Sequence, residues 1–403
     1  MVRFMAKLGI DFCGVSFKNP IIAASIEPTD SLEGLKKCID AGAAGAVVKT
    51  ITDLPQMAEL TQHSKYAILN AEGRSIRGKV PRDFVFYSRS GYSVKPYRDW
   101  IPILKQAQAY AKQRDAHIIG SIGASTLSGW SDVAKMTEDC GIEITELNFG
   151  CPHPSQMKNT KAGMLLGQDP GYAAEVTEKV VSAVSIPVVV KLTPQVTSVV
   201  DVAKSVQEAG AAGVAVINRF VGFAVDIEKG EPYIGGPAGV GGPWVRYLTL
   251  RWVYEIYSQL HLPIAGSNGI YDWREAVEFI MAGARVMEVG SVLMLKGYKQ
   301  LGKIISGLEE FMDHHGYPTL ESMIGLASRR SQSYGTLLLT DRVHAVVDPE
   351  RCINCWNCVQ SCFYRAMLRQ GDELMHDANV CIGCELCASV CPTEAIRFDK
   401  ETE

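Results

Sequence analysis

The 403-residue chain has no run of apolar residues approaching the ~18 that a membrane-spanning helix needs. The stretch from Met1 to Gly14 lacks the apolar core of a secretion signal. Together these absences place the expected location in the cytoplasm, with no membrane partner. A basic excess is also missing. The net charge is −4, and from Asp348 onward ten Asp/Glu stand against five Lys/Arg, which argues against a nucleic-acid-binding surface there. No Gly-x-Gly-x-x-Gly follows a strand-like run and opens a helix, so no nicotinamide dinucleotide site is expected in this chain. With 47% hydrophobic and 21% charged residues, the composition is that of an ordinary globular protein of two or three domains.

What the sequence has is cysteine, gathered near one end. Cys352, Cys355, Cys358 and Cys362 form one Cys-x2-Cys-x2-Cys-x3-Cys run, and Cys381, Cys384, Cys387 and Cys391 form a second. A structural zinc would take four ligands in two pairs and leave a cysteine over in each run. Disulfides fit neither a cytosolic chain nor such close spacing. The spacing is that of a bacterial-type ferredoxin with two [4Fe–4S] clusters, in which the fourth cysteine of each run serves the other cluster. Cys352, Cys355, Cys358 and Cys391 are therefore expected on one cluster, and Cys381, Cys384, Cys387 and Cys362 on the other. Phe363 stands where such a run usually has proline. Cys13, Cys38 and Cys140 lie in or beside apolar stretches and read as packed thiols. Clusters of this kind move single electrons, so the preceding chain should hold a centre that supplies or consumes them.

That preceding chain alternates short β-branched runs with amphipathic stretches. The strand-like runs are Ile21–Ala24, Ala46–Thr50, His117–Ile122, Ile144–Phe149, Val188–Leu192, Val214–Asn218, Ile264–Ser267 and Val286–Val289. Between them lie helix-like stretches such as Leu32–Ala41, Trp100–Gln113 and Ser131–Cys140. The phrase Ala-Gly-Ala recurs from Ala41, Ala209 and Ala282, where glycine can end a helix in the left-handed conformation. Eight such units predict a (β/α)8 TIM barrel with its chemistry on the loops after the strands; an open doubly wound sheet is the competing arrangement. Two of those loops, Ile51 to Asp99 and Arg219 to Pro243, are long enough to act as lids. The expected division is a barrel with C-terminal helices over 1–330, a linker over 331–347 and a ferredoxin domain over 348–403.

The fourth strand runs into Glu146-Leu-Asn-Phe-Gly-Cys-Pro152, followed by Gly163-Met-Leu-Leu-Gly-Gln-Asp-Pro170. With these motifs, the chain resembles the dihydroorotate/dihydropyrimidine dehydrogenase family of FMN-dependent barrels, in particular the bacterial dihydropyrimidine dehydrogenase subunit with a ferredoxin tail. The resemblance implies FMN as cofactor, an oligomer, and an NAD(P)H/FAD-containing partner subunit or soluble carrier for electrons. It implies that Cys151 is the acid/base and that Asn148 and Asn218 contact both flavin and substrate. Ala24, Lys49, Lys191, Gly242, Gly266, Asn268, Gly269, Gly290 and Ser291 are the remaining flavin contacts it implies, those after the seventh and eighth strands holding phosphate. Residue chemistry agrees at two places. Flavin reactions at a C–C bond need one titratable side chain for the proton, and a lysine closing an apolar strand, as Lys49 and Lys191 do, needs a charged partner.

Departures from the pattern fall on the substrate side. Ser88 replaces a family asparagine, Gly150 a serine, and Arg219 a small hydroxyl residue. A guanidinium there favours a small polar, negatively charged substrate, with Arg89 as a second reader. The activity expected is oxidation or reduction of a C–C bond, dihydropyrimidine dehydrogenase-like or directed at an unsaturated carboxylate. The same motif with Lys161-Ala-Gly-Met-Leu-Leu also resembles tRNA dihydrouridine synthases, but the ferredoxin-like tail and acidic balance count against that activity. A degenerate barrel serving only electron transfer is the third option. Anaerobically purified protein should contain about eight iron atoms per chain; a value near four would reject the two-cluster reading.

Overall fold

The computed structural model describes residues 6–152, 162–337 and 343–400. The chain forms two compact units, Met1–Arg330 and Ser331–Glu403. In the first, eight parallel strands lie in chain order: β1 Ile21–Ala23, β2 Gly45–Val47, β3 His117–Gly123, β4 Thr145–Asn148, β5 Val188–Lys191, β6 Gly213–Val216, β7 Ile264–Ser267 and β8 Val286–Val289. Each pairs with the next, and β8 pairs back onto β1, so the ring closes without a free edge. That closure excludes the open doubly wound sheet. The β-branched strands are buried on both faces, as parallel strands covered by helices must be.

Eight helices cover the ring: α1 Leu32–Asp40, α2 Trp100–Lys112, α3 Leu127–Asp139, α4 Pro170–Val181, α5 Val199–Glu208, α6 Arg246–Gln259, α7 Trp273–Ala282 and α8 Lys299–His315. Ser31, Thr126, Asp169, Ser198 and Asp272 cap five of them by accepting backbone N–H groups. The Thr126 cap starts α3 a full turn before the apolar pattern suggests. Gly42, Gly210 and Gly283, from the recurrent Ala-Gly-Ala phrase, all take positive φ where a helix hands over to a strand.

The two long loops are not separate lids. Lys65–Leu69 and Val85–Arg89 from the loop after β2 join Phe220–Gly222 and Ala238–Gly241 from the loop after β6 in one four-stranded antiparallel sheet. Ala238–Gly241 is an inner strand, paired on one side with Phe220–Gly222 and on the other with Val85–Arg89. Tyr87, Ile234, Ala238 and Val240 give this sheet a small apolar core of its own.

In the second unit, Val343–Val347 pairs antiparallel with Ile396–Lys400, and Met367–Gln370 with Glu373–His376. This corrects the expected linker, whose last five residues are a strand with Ala345 fully buried. Each cysteine run leads into a short helix, Asn357–Ser361 or Leu386–Ser389. Left-handed residues fall at matching places in both runs: Asn354 with Gly383, Trp356 with Glu385, and Arg365 with Glu394. The two halves are thus one backbone motif used twice.

Back in the barrel, a side-chain carbon on Gly266 of β7 would lie 2.4 Å from the Phe279 ring of α7. Gly266→Ala should lower the unfolding free energy by about 1–3 kcal/mol, the usual cost of overpacking a core, read as a fall in the thermal midpoint.

Candidate active site

A cavity with about 960 Å³ of empty space lies where the C-terminal ends of the barrel strands meet the four-stranded sheet. At its base Lys191, the last residue of β5, sits between Glu146 of β4 and Glu288 of β8, all three buried. Its ammonium lies 3.5 Å from Glu146 Oε2 and makes a shorter contact with Glu288 Oε2. Burial alone would lower the Lys191 pKa, but the two carboxylates outweigh it and raise it. Burial, and then the neighbouring Glu288, push the Glu146 carboxyl well above the usual range. The lysine charge is therefore locked in place between two strands.

On the wall, Lys49 Nζ donates to Glu27 Oε1 at 2.8 Å. Burial tends to raise the Glu27 carboxyl. The Lys49 charge and hydrogen bonds from Lys49, Ser90 and Tyr66 override it and hold Glu27 far below the usual carboxylate range. Burial and then Glu27 raise the Tyr66 hydroxyl to about 12. Between the two ion clusters runs a chain of neutral polar groups. Asn148 Nδ2 donates to Thr50 Oγ1 at 2.8 Å, Thr50 meets Ser121 at 3.1 Å, and Ser121 donates to Glu146 at 3.2 Å. Asn218 Nδ2 donates to Asn148 Oδ1 at 3.1 Å, and Asn268 Nδ2 to the Asn218 carbonyl at 3.2 Å.

Most residues singled out from the sequence meet here. Ala24, Lys49, Lys191, Asn268, Gly269, Gly290 and Ser291 line the cavity, as do Asn148, Cys151, Asn218, Arg219 and Ser88. Arg219 Nη1 donates to Ser88 Oγ at 2.6 Å, and Nη2 to the Ser90 carbonyl at 3.4 Å. No ion pair joins Arg219 to a carboxylate among the described residues, and Asp226 of its own loop pairs with Lys229 instead. The guanidinium lies against Gly239, where a side-chain carbon would come within 2.9 Å of it. Gly150 serves Asn218 in the same way, since a carbon there would be 2.4 Å from Asn218 Cβ.

Three expected contacts do not line the cavity. Phe86 and Ser88 do, so strand alternation sends Arg89 to the other face, where its Nη1 lies 3.5 Å from the Gly235 carbonyl. Gly266 faces Phe279, and Gly242 adjoins the Phe84 carbonyl, with Gly241 lining the cavity beside it. Lys161 lies outside the described residues. Sequence reasoning missed Glu27, Tyr66, Tyr92 and Glu288 on the wall. Only the rule that a buried lysine needs a counter-charge pointed to the two acids.

In the second unit, one cavity of about 350 Å³ is lined by Cys352, Cys355, Cys358 and Cys391, and another of about 340 Å³ by Cys362, Cys381, Cys384 and Cys387. Among the described residues no three His, Cys, Asp or Glu side chains converge closely enough for a single metal ion. Each set of four cysteines thus lines one space of its own. The Ala395 amide donates to Cys391 Sγ at 3.3 Å, a contact of the kind that tunes cluster potential. Phe363, in the proline position, is solvent-exposed.

A family model for dihydroorotate dehydrogenase matches residues 7–312, and one for a 4Fe-4S dicluster domain matches residues 345–398. The chain belongs to the dihydroorotate dehydrogenase family. It is 31% identical over 336 residues to the dihydroorotate dehydrogenase B (NAD(+)) catalytic subunit of Pyrococcus horikoshii, covering 81% of this chain and 99% of that one. The corresponding subunit of Methanocaldococcus jannaschii is 29% identical over 321 residues, 79% of this chain and 98% of that one. The NAD-dependent dihydropyrimidine dehydrogenase subunit PreA of Escherichia coli is 27% identical over 368 residues, 88% of this chain and 85% of that one. The chain is accordingly a flavin-dependent oxidoreductase with FMN and [4Fe–4S] clusters as its cofactors. No helix among the described residues is long and apolar enough to cross a membrane.

The cavity fits the flavin. Lys191 offers a fixed cation at its base, and a side-chain carbon on Gly290 would meet only Ala24 and Ile26 carbons, at 3.6 and 3.7 Å, in the region where barrels commonly take phosphate.

Because the folded Glu27 pKa is depressed, its contribution is full above the unfolded value near 4.3 and is lost as pH falls below it. Glu27→Gln should therefore lower the thermal midpoint at pH 7, and its gap from the unmodified protein should narrow as pH falls from about 5 toward 3.

Proposed function

We propose that this chain is the catalytic subunit of a cytoplasmic enzyme that oxidises or reduces a C–C bond in a small substrate bearing a carboxylate and an amide edge. The carrying observation is Arg219, which lines the cavity and whose guanidinium, among the described residues, meets a hydroxyl and a carbonyl but no carboxylate. The other cavity cations, Lys49 and Lys191, already meet carboxylates. An anionic group is thus best received at the Arg219 end, and Asn148 and Asn218, linked side by side, suit an amide. Dihydroorotate has both groups; an unsaturated carboxylate has the charge without the amide, and plain dihydrouracil the amide without the charge.

When bound, FMN supplies hydride exchange at one substrate carbon. Cys151 exchanges the proton at the neighbouring carbon, and Lys191 lends positive charge to the flavin site. The two sets of four cysteines would hold the clusters, which would supply single-electron exchange with a partner. Relatives named as subunits of NAD-linked dehydrogenases support a separate nicotinamide-binding subunit, as does the missing Gly-x-Gly-x-x-Gly. Assembly into an oligomer belongs to the same reading.

The test is to mix anaerobic holoenzyme with dihydroorotate, dihydrouracil and a set of unsaturated carboxylates, and to follow flavin absorbance. Arg219→Ala should weaken the acidic substrate by about 1.5–3 kcal/mol, the size of a charge-assisted hydrogen bond, and spare a neutral analogue. Equal losses for both, or full activity on dihydrouracil, would favour the neutral dihydropyrimidine.

A further inference from the structure

Tyr92 is nearly inaccessible, at 1% exposure, yet it lines the catalytic cavity. It packs in a small buried cluster with Cys151, Leu54 and Ala162, separate from the main core. The tyrosine is clamped from several sides. Thr61 Oγ1 donates to its carbonyl at 2.6 Å, and the next amide, Ser93, donates to the Thr50 carbonyl at 2.9 Å. A side-chain carbon on Gly123 would lie 2.9 to 3.2 Å from the outer ring atoms and the oxygen, so the hydroxyl end is pressed onto bare β3 backbone. The buried hydroxyl has no hydrogen-bond partner of good geometry among the described residues, and beside it is Cys151.

A buried hydroxyl left unsatisfied costs free energy unless something needs it. The Cys151 reaction creates that need. In the reducing direction the Cys151 S–H bond breaks, a C–H bond forms on the substrate, and the electron pair stays on sulfur as a thiolate. That anion then lies in a buried cluster with Leu54, Ala162 and the Tyr92 ring, where low polarity makes each hydrogen bond to it count. We propose that Tyr92 is the positioning residue of this acid/base, its hydroxyl donating a hydrogen bond to the Cys151 sulfur when the proton has left. This rests on the reading of Cys151 given above. Burial, and then Cys151 itself, hold the Tyr92 hydroxyl well above the usual tyrosine range, so it acts as a donor and keeps its own proton. The other charged groups on the wall are committed. Lys49 is paired with Glu27 and Lys191 with Glu146 and Glu288, while the Arg219 guanidinium is held by Ser88 and the Ser90 carbonyl. Burial drives Tyr271 above its usual range, as burial and Glu27 do Tyr66.

The experiment measures the rate at which iodoacetamide alkylates Cys151 in FMN-loaded holoenzyme as a function of pH, with the modified peptide quantified by mass spectrometry. Tyr92→Phe keeps the ring and removes the hydroxyl. It should move the alkylation midpoint up by about one pH unit, with flavin content unchanged. If Tyr92→Phe loses flavin, Gly123→Ala, which pushes the hydroxyl aside, should give the same upward shift. An unmoved midpoint in the folded variant, or no alkylation of the unmodified enzyme below about pH 10, overturns the proposal. Failure of the Cys151 reading has a different sign. Cys151→Ala would then react with the acidic substrate of the screen at an unslowed rate, instead of the roughly 10²- to 10⁴-fold loss expected for a missing acid/base.

Discussion

A lysine ammonium at the base of a barrel is tolerable only if negative charge is brought to it from other strands. Lys191 meets that condition with Glu146 from β4 and Glu288 from β8, and the requirement reaches well beyond the three residues. Glu146 and Asn148 stand two apart on β4 and so share its inward face. A one-residue slip would send both toward the helices and leave the lysine with Glu288 alone. Satisfying the cation thus fixes the strand that carries Asn148, and through Asn148 the positions of Thr50 and Asn218. A hydrogen-bonded set spanning the mouth is held in register by one buried charge.

The same economy applies to Lys49. Its partner Glu27 comes from the loop after β1, while Ser90 and Tyr66, which also bind Glu27, come from the long loop after β2. The ion pair therefore ties the roof of the cavity to its wall. It also alters what the cavity can read, since a lysine with its own carboxylate offers little to an incoming anion. Arg219, by contrast, meets no carboxylate among the described residues, and its fit depends on the smallness of Ser88 and Gly239.

The eight strands were legible because each is a short, β-branched, doubly buried run, a pattern set by hydrophobicity alone. Cysteine spacing was legible because cluster chemistry leaves few alternatives. The sheet built from two loops was not, because Ala-Gly-Val-Gly at 238–241 has the composition of a flexible segment and becomes a strand only between two partners. Glu27 was hidden by its ordinary context, with its partner far along the chain. Arg89 was misplaced because proximity to Ser88 along a strand means the opposite face, and the strand itself was not foreseen. Gly266 was assigned to phosphate although its missing side chain makes room for Phe279. In each case the deciding contact joins residues distant in sequence.

The four-stranded sheet over the cavity has an evolutionary consequence. Ser88 belongs to one insertion and Arg219 opens the other, and the strands of the two insertions share hydrogen bonds through Ala238–Gly241. Neither insertion can lengthen, shorten or change its inward residues without disturbing its counterpart. The cavity wall in such a chain is inherited as a matched pair of segments. Grafting one of them into a relative would carry over half of that wall and an unpaired sheet edge, whereas exchanging both together would carry it intact.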